Sequence, residues 1–179
     1  LRNSSAASDV YKRQHSLTPE HFDRYKKTQG WNTAINRRQF AIDSDKFSWP
    51  SSYRYPDEIY ENECSFKQGN FTFNLYHARG ETDDHTWVHI PEAKILAPGD
   101  LFIWAVPNGG NPQKVQRYIS DWAEALDKMK EMQSEILLPG HGFPIFGKER
   151  IEIALTTTSE LLKSLSLIHI SEPTRPSQI

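Results

Sequence analysis

The stretch Pro98-Gly99-Asp100-Leu101-Phe102, with its later companion Leu138-Pro139-Gly140-His141-Gly142, decides how this chain is read. Each sets a metal-capable side chain beside glycine, among apolar residues of strand type. Glycine lets the backbone turn sharply and leaves the neighbouring side chain open. A further segment, His77-Ala78-Arg79-Gly80-Glu81-Thr82-Asp83-Asp84-His85-Thr86, carries Glu81 and, four residues later, His85. Carboxylate oxygen and imidazole nitrogen together suit zinc, manganese or iron. Each of the three segments therefore offers metal-capable side chains, Asp100 and His141 among them.

Around these segments the pattern predicts alternating element types. Thr18-Pro19-Glu20 opens a helix, with Thr18 as N-cap, proline in the first turn and an acid at the positive end of the dipole. Gly30 is its expected stop. Phe40 to Tyr60, rich in Ser, Asp, Pro and Tyr, reads as a long loop. Cys64 and Phe66 alternate with polar residues, Gln68-Gly69-Asn70 turns, and Phe71, Phe73 and Leu75 alternate again, which is a hairpin. Thr86 to Ile90 reads as a strand, Pro91-Glu92-Ala93 as a turn, and Lys94 to Ala97 as the segment that follows it. Pro107 to Gln113 is a loop. A helix is expected from Lys114 or Ser120 to Gln133, because Trp122, Ala125, Leu126, Met129 and Met132 recur at spacings of three and four. Glu135 to Leu138 is a short buried strand, and Lys148 to Ser164 a last helix. Antiparallel strands followed by alternating helix and strand predict a layered α/β or α+β domain.

Composition narrows the function classes. The 179 residues hold 21 basic and 23 acidic side chains, a formal net charge of −2. That argues against a nucleic-acid surface and leaves a nuclease as the weakest enzyme class. Cys64 stands alone, so an internal disulfide framework and a cysteine zinc ribbon are excluded. No apolar run reaches membrane-spanning length. The expected partner is a small molecule rather than a membrane or a nucleic acid, and the expected compartment is the cytoplasm.

The two ends read differently from the middle. The codons GAT GTG TAT AAG AGA CAG encode Asp9 to Gln14, and their reverse complement, CTG TCT CTT ATA CAC ATC, encodes Leu165 to Ile170. One DNA element read on opposite strands accounts for both, as a sequencing adapter would. Residues 1–14 and 165–179 are therefore expected to be adapter-derived and without structure, and residues 15–164 to be part of one domain. His169 is accordingly set aside as a ligand.

The order and spacing of the chemical segments resemble the second half of the metallo-β-lactamase superfamily, from His77 to Ser164. Gly99-Asp100 is similar to the family's strand-end Gly-Asp, whose aspartate bridges two metals. Pro139-Gly140-His141-Gly142 is similar to its late Gly-His segment, whose histidine binds the second metal. Arg79-Gly80-Glu81-Thr82 stands where the family usually has Pro-Gly-His-Thr, so register favours Glu81 over its rival His85. Sulfatase-like members also use a carboxylate there. The stretch from Gly99 through Trp104, Pro107 and Asn111 to Tyr118 also resembles bacterial hydrolases of this superfamily.

The resemblance implies a truncated αββα sandwich of α/β class, holding two divalent metals, zinc foremost with manganese or iron as alternatives. It implies a hydrolase in which a metal-bound hydroxide attacks an ester, thioester, lactone, sulfate or phosphate bond. Arg79, Trp104, Asn108 and Asn111 are candidate substrate-binding residues. The family's His-x-His-x-Asp-His motif is absent from the chain. Its aspartate would act beside the water, so no catalytic residue is assigned here, and the chain by itself is expected to be inactive. Rival classes are an iron-dependent, persulfide-dioxygenase-like oxidoreductase on the same scaffold and a metal-free binding module. Half of a two-sheet sandwich is also expected to show an apolar inner sheet face.

Overall fold

The computed structural model describes residues 12–43, 45–110 and 117–171, with side chains through 166 in the last helix. The chain divides into two compact units, Leu1–Glu61 and Asn62–Ile179.

In the first unit, strand β1 (Arg13–His15) pairs in parallel with β2 (Glu58–Tyr60). Between them lie helices α1 (Thr18–Lys27) and α2 (Gln29–Gln39). The helix begins at the expected cap itself, one residue earlier than predicted. Leu17 already has helical angles and is the N-cap, and Thr18 is buried inside α1. Gly30 does not stop the helix but lies within α2. The break falls at Thr28, whose hydroxyl donates to the Arg24 carbonyl at 3.0 Å and closes α1 from its own side chain. The long loop then lies along α2: Gln29 donates to the Trp49 carbonyl at 2.9 Å and Arg37 to the Phe47 carbonyl at 2.7 Å. Phe22 stacks on Tyr53 at 4.9 Å between ring centres.

The second unit is a six-stranded mixed sheet in chain order, with two α-helices among the described residues. Its strands are β3 (Glu63–Gln68), β4 (Phe71–His77), β5 (Thr86–Ile90), β6 (Ile95–Ile103), β7 (Ile136–His141) and β8 (Ile145–Phe146). The predicted hairpin forms about Gly69, which takes the left-handed φ of 59° that the turn requires. Strands β3 to β6 are antiparallel. β6 and β7 are parallel, joined through α3 (Ile119–Glu131) in a βαβ crossover. The last helix, α4 (Lys148–Ser171), follows β8.

β6 corrects the expectation that Asp100 stands at a strand end. The strand runs through Pro98, Gly99 and Asp100 to Ile103. It does so because the pairing with β7 shifts register between Leu96 and Gly99 and again between Gly99 and Ile103. Such an irregularity accommodates a proline that cannot donate, and Gly99 at φ 56° supplies the turn.

The core lies between one sheet face and the helix pair. Trp87, Leu96, Leu101 and Leu137 meet Trp122, Leu126 and Met129 of α3 and Leu155 and Leu162 of α4, all nearly inaccessible to water. The Trp122 indole donates to the Leu101 carbonyl at 2.7 Å, so this buried ring is polar-satisfied. Strand alternation puts Phe66, Phe73, Leu75, Val88, Ile90 and Ile95 on the opposite sheet face, the apolar face expected of an inner layer.

Secondary structure also enters the stretches expected to lack it. Arg13 and Gln14 pair within β1, and α4 continues past Ser164 because nothing before Pro173 breaks a helix. Residues 1–11 and 172–179 lie outside the described residues. Among the described residues, no helix is long and apolar enough to cross a membrane.

One polar node ties α3 to α4. Asp127 receives Ser159 at 2.9 Å, Lys163 at 2.5 Å and Lys130 at 2.8 Å. Partial burial works against its charge, but these hydrogen bonds outweigh it and hold the carboxyl down to about 2. Because the folded value lies below that of the unfolded chain, its stabilisation is complete above about pH 5 and fades as pH falls through the folded value. Asp127→Asn is therefore expected to lower the urea midpoint at pH 7 and to lower it far less near pH 2; equal loss at both pH values would contradict this.

Candidate metal centre

Asp100 and His141 reach each other through the β6–β7 ladder. Gly99 is the partner of Pro139 and Ile103 the partner of His141. His141 Nε2 lies 3.4 Å from Asp100 Oδ1, with the imidazole 74% and the carboxylate 41% exposed. Two donors are thus adjacent and open to an ion or substrate. The approach depends on Gly140. A β-carbon there would lie 2.2 Å from Asp100 Oδ1 and 2.6 Å from the Gly99 carbonyl carbon.

The His141 turn is braced from the side. The Trp104 ring lies against Gly142, where a β-carbon would come within 2.0 Å of it. Its indole donates to the Phe143 carbonyl at 2.7 Å, and its backbone N–H to the His141 carbonyl at 3.3 Å. Trp104 is otherwise exposed.

Glu81 and His85 sit in one loop but are held differently. Arg117, only 4% exposed, donates one guanidinium nitrogen to the Glu81 carbonyl at 2.6 Å and another to its carboxylate Oε1 at 2.7 Å. Loss of solvent lowers the Arg117 pKa, the mark of a desolvated cation whose counter-ion is Glu81. The backbone of Tyr118 adds a hydrogen bond to the Gly80 carbonyl at 3.0 Å. Glu81 Oε2 carries no hydrogen bond among the described residues.

His85 is mostly buried. Its Nε2 lies 2.9 Å from the Pro98 carbonyl, which can only accept, so that nitrogen carries the proton. Its ring lies against Gly99, where a β-carbon would come within 2.9 Å. Burial lowers its pKa, outweighing the Pro98 bond and the nearby Asp100 charge, so the ring is neutral at pH 7. A neutral imidazole whose N–H is fixed by a backbone carbonyl leaves Nδ1 as a lone-pair donor, the arrangement common among metal-bound histidines.

The candidate substrate residues are not gathered as a group. Arg79 donates to Asp121 at 2.6 and 2.7 Å and lies over the Tyr118 ring. The Asn108 side chain accepts from the Gly110 N–H at 3.2 Å within its own loop. Only Trp104 stands beside His141. Asn111 lies outside the described residues. The sequence reading missed Arg117. It lies 36 residues from Glu81, and no local pattern marks a cation that will be buried by a distant loop.

This donor set suits a divalent ion of zinc, manganese or iron type. Asp100 and His141, with Glu81 or His85, amount to fewer than the four donors of a tetrahedral site, so they fit part of a coordination shell rather than a whole one.

No family model matches the chain. A linear primary-alkylsulfatase from Pseudomonas sp. is 21% identical over 114 residues, which is 63% of this chain and 22% of that protein. Among solved structures, a double mutant of the sec-alkyl sulfatase PisA1 superimposes with a TM-score of 0.69 at 16% identity, over 92% of this chain and 30% of that one. The stereoselective inverting sec-alkylsulfatase Pisa1 from Pseudomonas sp. gives a TM-score of 0.56 at 17% identity, over 65% and 20%. A metallo-beta-lactamase family protein from Thermus thermophilus gives 0.57 at 15% identity, over 89% and 53%. The chain has the metallo-β-lactamase fold in part. It spans about a fifth of the alkylsulfatase it matches in sequence, and about half of the Thermus protein.

Gly140→Ala tests the close approach that joins Asp100 to His141. It is expected to destabilise the chain by roughly 1–3 kcal/mol, the usual cost of overpacking, and to separate the two side chains in a structure of the variant. Unchanged stability with Asp100 and His141 in place would contradict the steric argument.

Proposed function

We propose that this chain is part of a metal-dependent hydrolase that cleaves ester-type bonds of small molecules, sulfate esters foremost. The observation that carries the reading is the exposed Asp100–His141 pair, 3.4 Å apart on adjacent strands of this fold. The alkylsulfatases among the similar proteins favour sulfate within the wider class of ester, thioester, lactone, sulfate and phosphate.

Two divalent metals, zinc foremost, would supply Lewis-acid stabilisation of developing negative charge and would lower the pKa of water toward neutrality. Asp100 and His141 would hold them, with Glu81 or His85 as a further ligand. The remaining donors belong to a His-x-His-x-Asp-His segment outside this chain, and the chain without that segment is inactive.

The chain's own residues prepare this site in distinct ways. Gly99 and the register shift turn Asp100 toward His141. Trp104 braces the turn that carries His141 and forms an apolar wall beside it. The Pro98 carbonyl fixes the His85 tautomer. Arg117 restrains Glu81 through Oε1 and leaves Oε2 available. Arg79, bound to Asp121, shapes the loop rather than contacting substrate.

In the longer protein, Asp100→Asn is expected to reduce kcat at least about a hundredfold, since even residues that merely support a metal ligand cost 10- to 100-fold. Its melting temperature should change little, because Asp100 lies outside the core. Glu81→Gln and His85→Gln separate the rival ligands: whichever lowers the bound metal measured by elemental analysis is the ligand. Full turnover and full metal content in Asp100→Asn would overturn the proposal.

A further inference from the structure

On the helix side of the sheet, an open groove of about 590 Å³ runs between the end of β6, β8 and the first half of α4. Its walls are almost wholly apolar, with Trp104 and Phe146 on the sheet side and Ile153 and Ala154 on the helix side. Trp104, Phe146 and Ile153 are each 60% exposed. Isolated exposed apolar residues are ordinary, but several lining one concave surface mark a binding site.

Two features give the groove a chemistry. Among its lining residues only Arg150 is charged. The Arg150 side chain makes no ion pair or hydrogen bond among the described residues, in contrast to Lys163 further along α4 and Lys130 of α3, which are both spent on Asp127. The helix wall is a stripe at positions 150, 153, 154, 157 and 158, the spacing of one helix face. At 1.5 Å per residue it extends about 12 Å, with the cation at one end and the hydroxyls of Thr157 and Thr158 at the other. A long apolar trough with one unspent cation at its mouth complements a molecule with a hydrocarbon tail and a single anionic head.

We propose that this groove binds a monomeric anionic amphiphile, an unbranched alkyl chain ending in a carboxylate or similar oxyanion. The head meets Arg150 and the tail lies between Trp104 and Ile153. None of Glu81, His85, Asp100 or His141 lines the groove, although Trp104 both lines it and braces the turn of His141. Binding should therefore not require metal, and its failure would leave the hydrolase reading, which rests on Asp100 and His141, untouched.

The test is calorimetric titration of the chain with decanoate below its micellar concentration, with decyltrimethylammonium as the cationic control, with and without chelator. Decanoate should bind one to one, unaffected by chelator and more tightly than the cation. Arg150→Glu should weaken it roughly fivefold to tenfold, since an exposed attraction is replaced by repulsion. Thr157→Trp, at an exposed helix position that does not threaten folding, should fill the groove and abolish binding. Absence of binding, equal affinity for both head groups, or binding that survives Thr157→Trp would overturn the proposal. So would a dimer that Thr157→Trp dissociates, which would assign the groove to a second copy of the chain.

Discussion

The parallel pairing of β6 with β7 is the constraint on which the second unit depends. It closes the βαβ crossover, puts Leu96 and Leu137 side by side beneath the helices, and brings Asp100 against His141. A regular ladder through Pro98 is excluded, because proline cannot donate. The strand shifts register at Gly99 instead, and that shift places Asp100 beside the end of β7. A structural irregularity and the candidate site thus coincide, as is common for bulges near functional positions. Glycines keep the approach close. Gly140 leaves room for the Asp100 carboxylate, and Gly142 for the Trp104 ring.

The helices serve this sheet as a single slab. α3 and α4 bury one face, and the Asp127 node fixes them to each other through Ser159, Lys130 and Lys163. The other face remains apolar by alternation, from Phe66 on β3 to Ile95 on β6. Such a sheet has the hydrophobic patterning of a layer inside a sandwich. That matches a chain covering part of the length of the proteins it resembles.

Asp100 and His141 could be picked out in the sequence because each stands next to glycine in an apolar stretch of strand type. The hairpin about Gly69 and the helical stripe from Trp122 to Met129 were legible for the same reason: a period of two or of about 3.6 is local information. Gly30 misled, because a glycine within a helix and one ending it look alike until the hydroxyl of Thr28 is seen capping Arg24. The length of β6 was hidden by Pro98, which reads as a stop where pairing across the irregularity continues. Arg117 was invisible, since its role arises only when a distant loop folds over it. The pairing of Arg79 with Asp121, 42 residues away, was equally hidden from any local pattern.

The central claim is that Asp100 and His141 complete a metal shell whose other donors are encoded outside this chain. Reading the source DNA upstream of the His15 codon, by a long-read method without ligated or transposed adapters, tests it most directly. The account predicts an in-frame His-x-His-x-Asp-His within on the order of a hundred residues, a typical domain length. A reading frame that carries that segment in degenerate form, or never carries it, would contradict the account and leave the pair on a domain that binds no metal.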